Sequence, residues 1–261
     1  MATFKHISSK NANYGDAEKY LTFAHDEFTM KPTLDAEGRL VPRGDYRIST
    51  LNCGEEDFAV ACMRSNLRYG KNQKREDVKS HHYIISFDPR DGPDNGLTAD
   101  KAQELGERFC REQFPGHQAI VCTHPDGHNQ SGNIHVHIVI NSLRIENVLL
   151  PYMDRPADTK AGCKHRCTDA AMEYFKSEIM ELCHEAGLYQ IDLLNGSANR
   201  VMRIISVPSW SRSSGCPAKP QSADTRSVWH RLKSGWESLT VCLSAFMRTM
   251  WRGASQMKSS L

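Results

Sequence analysis

The 261-residue sequence contains no apolar run near the roughly 18 residues that a membrane-spanning helix needs, so no span is expected. Its first ten residues, MATFKHISSK, are polar from the start and hold no apolar core of a secretory signal. Nine cysteines, an odd number scattered without framework spacing, exclude a disulfide scaffold and read as reduced thiols of a cytoplasmic protein. A strong charge of one sign is missing too: 33 Lys and Arg stand against 31 Asp and Glu. Ten of those basic residues and two of the acidic ones fall in residues 196–261, leaving 23 against 29 before them, a net of −6. A general DNA-coating surface is therefore excluded for the first 195 residues, and nucleic-acid contact there requires a local basic patch.

What remains is an ordinary globular composition, with 39% hydrophobic and 25% charged residues. Residues 1–195 read as one domain. Residues 196–261 carry all four tryptophans and an excess of Ser and Arg, with only Val228–Trp251 patterned for helix. A basic, Trp-bearing tail suits DNA binding, but a composition that matches nothing upstream favours a disordered or out-of-frame stretch.

Within the domain, Asp16 reads as the N-cap of a first helix through AEKYLTFAH, with Tyr20, Phe23 and Ala24 on one face. Residues 31–52 read as loop with a short strand. A second helix is expected over Glu55–Arg68, with Phe58, Ala59, Cys62 and Met63 inward, followed by a basic loop. His81–Phe87 is aromatic and β-branched and reads as a strand closed by DPRDGPDNG. Thr98 caps a helix to about Phe114, and Thr168 caps a longer one that Gly187 ends. Gln118–Thr123 and Ile134–Ser142 read as strands joined by a turn-rich connector. The expected fold class is α/β in the α+β sense: a central, mainly antiparallel sheet flanked by helices.

The chemistry concentrates in THPDGHNQSGNIHVHIVINS, residues 123–142. Side chains alternate along a strand, so His135 and His137 share a face, about 7 Å apart, while Ile134, Val136 and Ile138 take the other. If the two strands pair, His124 completes a set of three imidazoles able to hold a metal with positions left open. A single strand histidine is ordinarily a satisfied structural residue; three of this parity around a turn argue for ligation. His128, in the connector, is the rival third ligand. Asp126 is placed to accept an imidazole N–H and fix its tautomer. Imidazole ligation suits Mn, Zn, Ni or Co, with Mg a poorer match by softness but abundant.

The pair His135-Val136-His137 resembles the HUH motif of endonucleases that join themselves to DNA. The fuller pattern, Thr123-His124-x-Asp126 and then Ile134-His135-x-His137-Ile138-Val139-Ile140-Asn141-Ser142, resembles the MobP-class relaxases of conjugative and mobilisable elements in Gram-positive bacteria. His82-Tyr83-Ile84-Ile85-Ser86-Phe87-Asp88-Pro89, Leu97-Thr98 and Gly116-His117 extend it, so that the similarity covers about Ala2 to Leu188. The connector between His124 and His135 is longer than in many relatives, which keeps His128 open as a ligand.

That resemblance implies a relaxase that nicks one strand at an origin of transfer. It further implies a divalent ion, Mn or Mg first, an accessory DNA-binding protein and a coupling ATPase. The nucleophile it implies is a tyrosine near the N-terminus followed by an aliphatic residue; Tyr20-Leu21 fits, with Tyr14 as the alternative. A phenolate is a competent leaving group, so the phosphotyrosyl link is reversible. Without the histidines, Tyr20 would read as a core residue of an amphipathic helix.

Arg64, Arg68, Lys71, Lys74 and Arg75 suit the DNA backbone, or equally a solvated charged loop. His81 and His82 differ in parity, so at most one faces the site; both read as structural or phosphate-contacting at most. Cys163, His165 and Cys167 form half a zinc pattern whose only nearby complement is Cys183 and His184, and a structural zinc there is not expected. The rivals to the relaxase reading are a replication initiator or transposase of the same superfamily, and a non-catalytic metal-containing DNA-binding protein.

Overall fold

The computed structural model describes residues 3–26, 29, 31–127, 132–190 and 192–194. His128 and the tail, residues 196–261, lie outside the described residues. The elements run β1 (Thr3–Ser9), α1 (Gly15–Thr22), β2 (Arg47–Leu51), α2 (Phe58–Tyr69), β3 (Ser80–Ser86), α3 (Asp91–Asn95), α4 (Ala99–Gln113), β4 (Ala119–His124), β5 (His135–Asn141) and α5 (Asp169–Glu185).

The strands form one five-stranded sheet in the order β1-β3-β5-β4-β2, antiparallel at every pairing. The central β5, HVHIVIN, is buried along its whole length, which its β-branched apolar residues suit. Both faces are covered. On one, Tyr83, Ile85, Val121, Val136, Ile138 and Ile140 pack against Phe109 of α4 and Phe175 and Ile179 of α5. On the other, Ile120, Cys122 and Val139 pack against Leu21 of α1 and Phe58, Ala61 and Cys62 of α2. Gly106 lets α4 lie close on the sheet, since a Cβ there would collide with Val136 Cγ1.

Thr98 and Thr168 cap their helices as their sequence positions predict, accepting from the backbone N–H groups of Lys101 and Ala171 at 3.2 Å each. Gly187 takes φ +68°, the left-handed geometry of a helix stop. Other expectations fail for physical reasons. Asp16 is not a cap but lies in the first turn of α1, where its carboxylate accepts from the Asn11 and Asn13 amides at 2.8 and 2.7 Å. The helix ends at Thr22, because Phe23 and His25 leave it to bridge Pro42 and Pro32. Met63 points outward, 50% exposed, and Ser65 and Asn66 take the inner face of α2. The edge strand β1 has no sequence signal, since Phe4 is its only buried residue.

Candidate active site

The β4–β5 hairpin puts His124 directly opposite His135, and Cys122 opposite His137, so all three imidazoles emerge on the α1/α2 face. Their ring centroids lie 5.2, 4.7 and 4.9 Å apart, and one ligand nitrogen from each falls within 4.8 Å of the others. Among the described residues this is the only group of three or more His, Cys, Asp or Glu side chains placed to hold a metal ion.

Each ligand is oriented through its other nitrogen. His124 Nε2–H donates to the Leu21 carbonyl at 2.8 Å, leaving Nδ1 buried without a hydrogen-bond partner. His137 Nδ1 lies 2.8 Å from His82 Nε2, leaving its Nε2 toward the triad. His135 Nδ1 is 3.3 Å from the Asn133 carbonyl. Burial pushes the His124 imidazole down to about 3, with the nearby Arg43 charge adding to the effect, and drives His137 well below its ordinary value. Three converging imidazoles, two of them held neutral by burial and one with an orphaned buried nitrogen, fit a divalent cation.

Tyr20, on the last turn of α1, is half-buried over this triad. Its ring stands edge-on to His137 at 6.0 Å and to His82 at 6.2 Å, and tilts against His25 at 5.0 Å. Tyr20, His25, Arg43, Asp126, His135 and His137 line a cleft of about 160 Å³. Burial raises the Tyr20 phenol, and the Arg43 guanidinium opposes that rise.

Tyr14, the alternative nucleophile, is instead buried on α1's approach, 4% exposed. Its hydroxyl donates to the Lys79 carbonyl at 3.0 Å and accepts from Asn66 Nδ2 at 2.8 Å, and burial pushes it up to about 12.

Asp126 departs from expectation as well. Its carboxylate is 65% exposed and accepts from Arg43 Nη1 at 3.2 Å, rather than from an imidazole. The orienting groups are the Leu21 carbonyl and His82. Sequence parity put His82 on one face without saying which; pairing of β3 with β5, which sets Ile84 against His137, decides it. His81 takes the opposite face. Arg43 carried no signal at all, lying in a Pro- and Gly-rich stretch. Arg64, Arg68, Lys71, Lys74 and Arg75 are exposed on α2 and the loop after it, and none lines the cleft. Arg64 pairs with Glu56, and Arg68 lies 5.7 Å over the Tyr69 ring.

Residues 42–188 match the family described as relaxase: MobA/VirD2-like, nuclease domain. A protein rlx of Staphylococcus aureus is 28% identical over 140 residues, covering 54% of this chain and 36% of that protein. A second protein rlx of the same organism is 34% identical over 99 residues, 38% of this chain and 26% of its own length. Protein TraI of Escherichia coli is 24% identical over 143 residues, 53% of this chain and 16% of TraI. The chain thus spans little more than a third, at most, of the relatives it matches.

Proposed function

Because the chain belongs to the MobA/VirD2-like relaxase nuclease family, we propose that it nicks one DNA strand at an origin of transfer, with Tyr20 as nucleophile. The observation that carries this reading is the half-buried Tyr20 ring set edge-on to His137 in a cleft that His135 and His137 of the triad also line. His124, His135 and His137 would hold a divalent ion, Mn or Mg first, which when bound supplies Lewis-acid polarisation of the phosphate oxygens.

The chain's own residues do the rest. The cleft admits a flexible single strand and presents its phosphate to Tyr20. The Tyr20 Oη–P bond forms as the P–O3′ bond breaks. The phenol proton is lost, the 3′ oxygen takes up a proton, and the 5′ phosphate stays on the tyrosine. Reversal by a 3′ hydroxyl rejoins the strand. Leu21 and His82 hold two of the imidazoles in their tautomers. Asp126 serves the cleft through Arg43. Arg64, Arg68, Lys71, Lys74 and Arg75 would track the DNA backbone away from the cleft. An accessory DNA-binding protein and a coupling ATPase complete the machinery in this reading, with the reaction in the cytoplasm; no described helix is long and apolar enough to cross a membrane.

The test is denaturing-gel detection of a covalent adduct, using single-stranded oligonucleotides tiled across the DNA flanking the gene, with Mn or Mg present. Wild type and Tyr14→Phe are expected to form the adduct and Tyr20→Phe to form none. An adduct on Tyr20→Phe would remove the nucleophile; no adduct on wild type would favour a binding-only protein.

A further inference from the structure

Arg43 is the one charged residue in the cleft wall whose surroundings demand a partner that the protein supplies only in part. It sits between α1 and β2, and its backbone N–H donates to the Thr22 carbonyl at 2.9 Å. That bond ties it to the end of the helix carrying Tyr20. Its side chain is largely enclosed, 17% exposed, and Nε is buried with no hydrogen-bond partner. Nη1 alone is engaged, by Asp126, whose side chain is 65% exposed at the cleft rim.

An enclosed guanidinium costs free energy unless its donors are used. One solvent-facing carboxylate uses one edge of the fork and leaves the other aimed into protein. A phosphodiester entering the cleft meets the Nη edge that Asp126 holds, and its two non-bridging oxygens can replace that single contact side by side. A carboxylate on the rim is also easily displaced, because water can solvate it at little cost when it lets go. Tyr20 and Arg43 line the same cleft, and the Arg43 charge acts on the Tyr20 phenol.

We propose that Arg43 clasps the phosphate that Tyr20 attacks, and that Asp126 is the resting counter-ion which the phosphate displaces. The proposal rests on the DNA-nicking reading of the cleft. In the step itself, negative charge accumulates on the non-bridging oxygens while the Tyr20–phosphorus bond forms and the bond to the 3′ oxygen breaks. A fixed cation that never loses its proton stabilises that charge without reorganising.

The experiment compares full-length wild type, Arg43→Gln, Arg43→Lys and Asp126→Asn on an oligonucleotide that wild type nicks. Three quantities are read: single-turnover adduct rate, oligonucleotide affinity and Mn affinity. Arg43→Gln is expected to slow adduct formation about 10²–10³-fold, the scale of one lost charge-stabilising donor. Its Mn affinity should hold or rise, because no hydrogen bond joins Arg43 to a triad imidazole and loss of its charge removes a repulsion felt at His124 and His137. Arg43→Lys should recover part of the rate, and non-denaturing guanidinium should speed Arg43→Gln but not wild type. Asp126→Asn should tighten oligonucleotide binding several-fold and leave Mn affinity alone.

An Arg43→Gln rate within about threefold of wild type would overturn the proposal. So would a loss of Mn binding that accounts for the whole rate defect, since Arg43 would then be supporting the triad. If Asp126→Asn loses Mn, the carboxylate serves an imidazole and the counter-ion assignment falls. A wild type that forms no adduct on any oligonucleotide rejects the nicking reading and takes this proposal with it; a wild type that nicks beside an equally fast Arg43→Gln rejects only this proposal.

Discussion

Two histidine clusters lie on opposite faces of the same sheet, and adjacent residues, His81 and His82, belong to different ones. On the α1/α2 face, His82 backs His137, and the nitrogens of His124, His135 and His137 converge. On the α4/α5 face, the ring nitrogens are taken up by separate neighbours and do not converge. His6 Nε2 meets His81 Nδ1 at 2.9 Å, His165 Nε2 meets the Tyr83 hydroxyl at 2.7 Å, and His117 Nδ1–H donates to the Asn141 carbonyl at 2.8 Å. His81 and His165 then pack edge to face at 4.8 Å, as aromatic core residues do. Burial lowers the imidazoles of His82, His124 and His137 on one face and of His6, His81, His117 and His165 on the other. Only convergence of lone pairs, with a cleft in front of them, makes one of them a site.

The strongest way to break this contrast is to delete one ring from each cluster. His137→Ala should lose tight Mn binding and lower adduct formation by several orders of magnitude, because two imidazoles no longer enclose the ion. His165→Ala should instead cost about 2–4 kcal/mol of stability through the cavity it leaves, with Mn affinity unchanged. Titration calorimetry and denaturant unfolding on the same two proteins read both outcomes. Comparable loss of Mn affinity in both would mean that the faces are coupled and the division is wrong.

A smaller effect sharpens the boundary between ligand and support. His82→Gln keeps a polar group near His137 but not the imidazole that fixes its orientation, and should lower Mn affinity about 10–100-fold. His81→Gln, one residue away and on the other face, should leave Mn affinity alone. Equal effects from the two substitutions would show that the defect spreads through the strand rather than through the His82–His137 contact.

His135 and His137 were legible in the sequence because strand parity is a local rule, and His124 because a hairpin makes its register almost as local. The caps at Thr98 and Thr168 were legible for the same reason. The face that His82 occupies was not, since β3 meets β5 across some fifty residues of chain and no local pattern encodes that pairing. Arg43 and Asp126 were misjudged or missed for a related reason: their contact spans 83 positions and joins two loops. β1 was illegible because an edge strand needs only one buried side chain to be held by its neighbour's hydrogen bonds.

The last distinction is one that protons can probe, since His117 belongs to no ligand group among the described residues but must still be kept neutral. Burial, and secondarily Arg144, pushes its folded pKa down to about 3, and its Nε2 is enclosed with no acceptor for an added proton. His81 is held to about 3 as well, by burial first and by His6 next. In the unfolded chain both return to about 6.5. Between these values the unfolded state binds more protons than the folded one, so stability is full above about pH 6.5 and falls as the pH drops below it. Each such histidine contributes a slope approaching about 1.4 kcal/mol per pH unit. His117→Asn retains an amide donor for the Asn141 and Leu143 carbonyls but does not titrate. Urea unfolding at intervals from pH 7 to 4.5 should therefore give a shallower acid decline for His117→Asn, by about one proton's slope, than for wild type. Identical slopes would mean that His117 already carries its proton when folded, and that its face is less closed than its packing indicates.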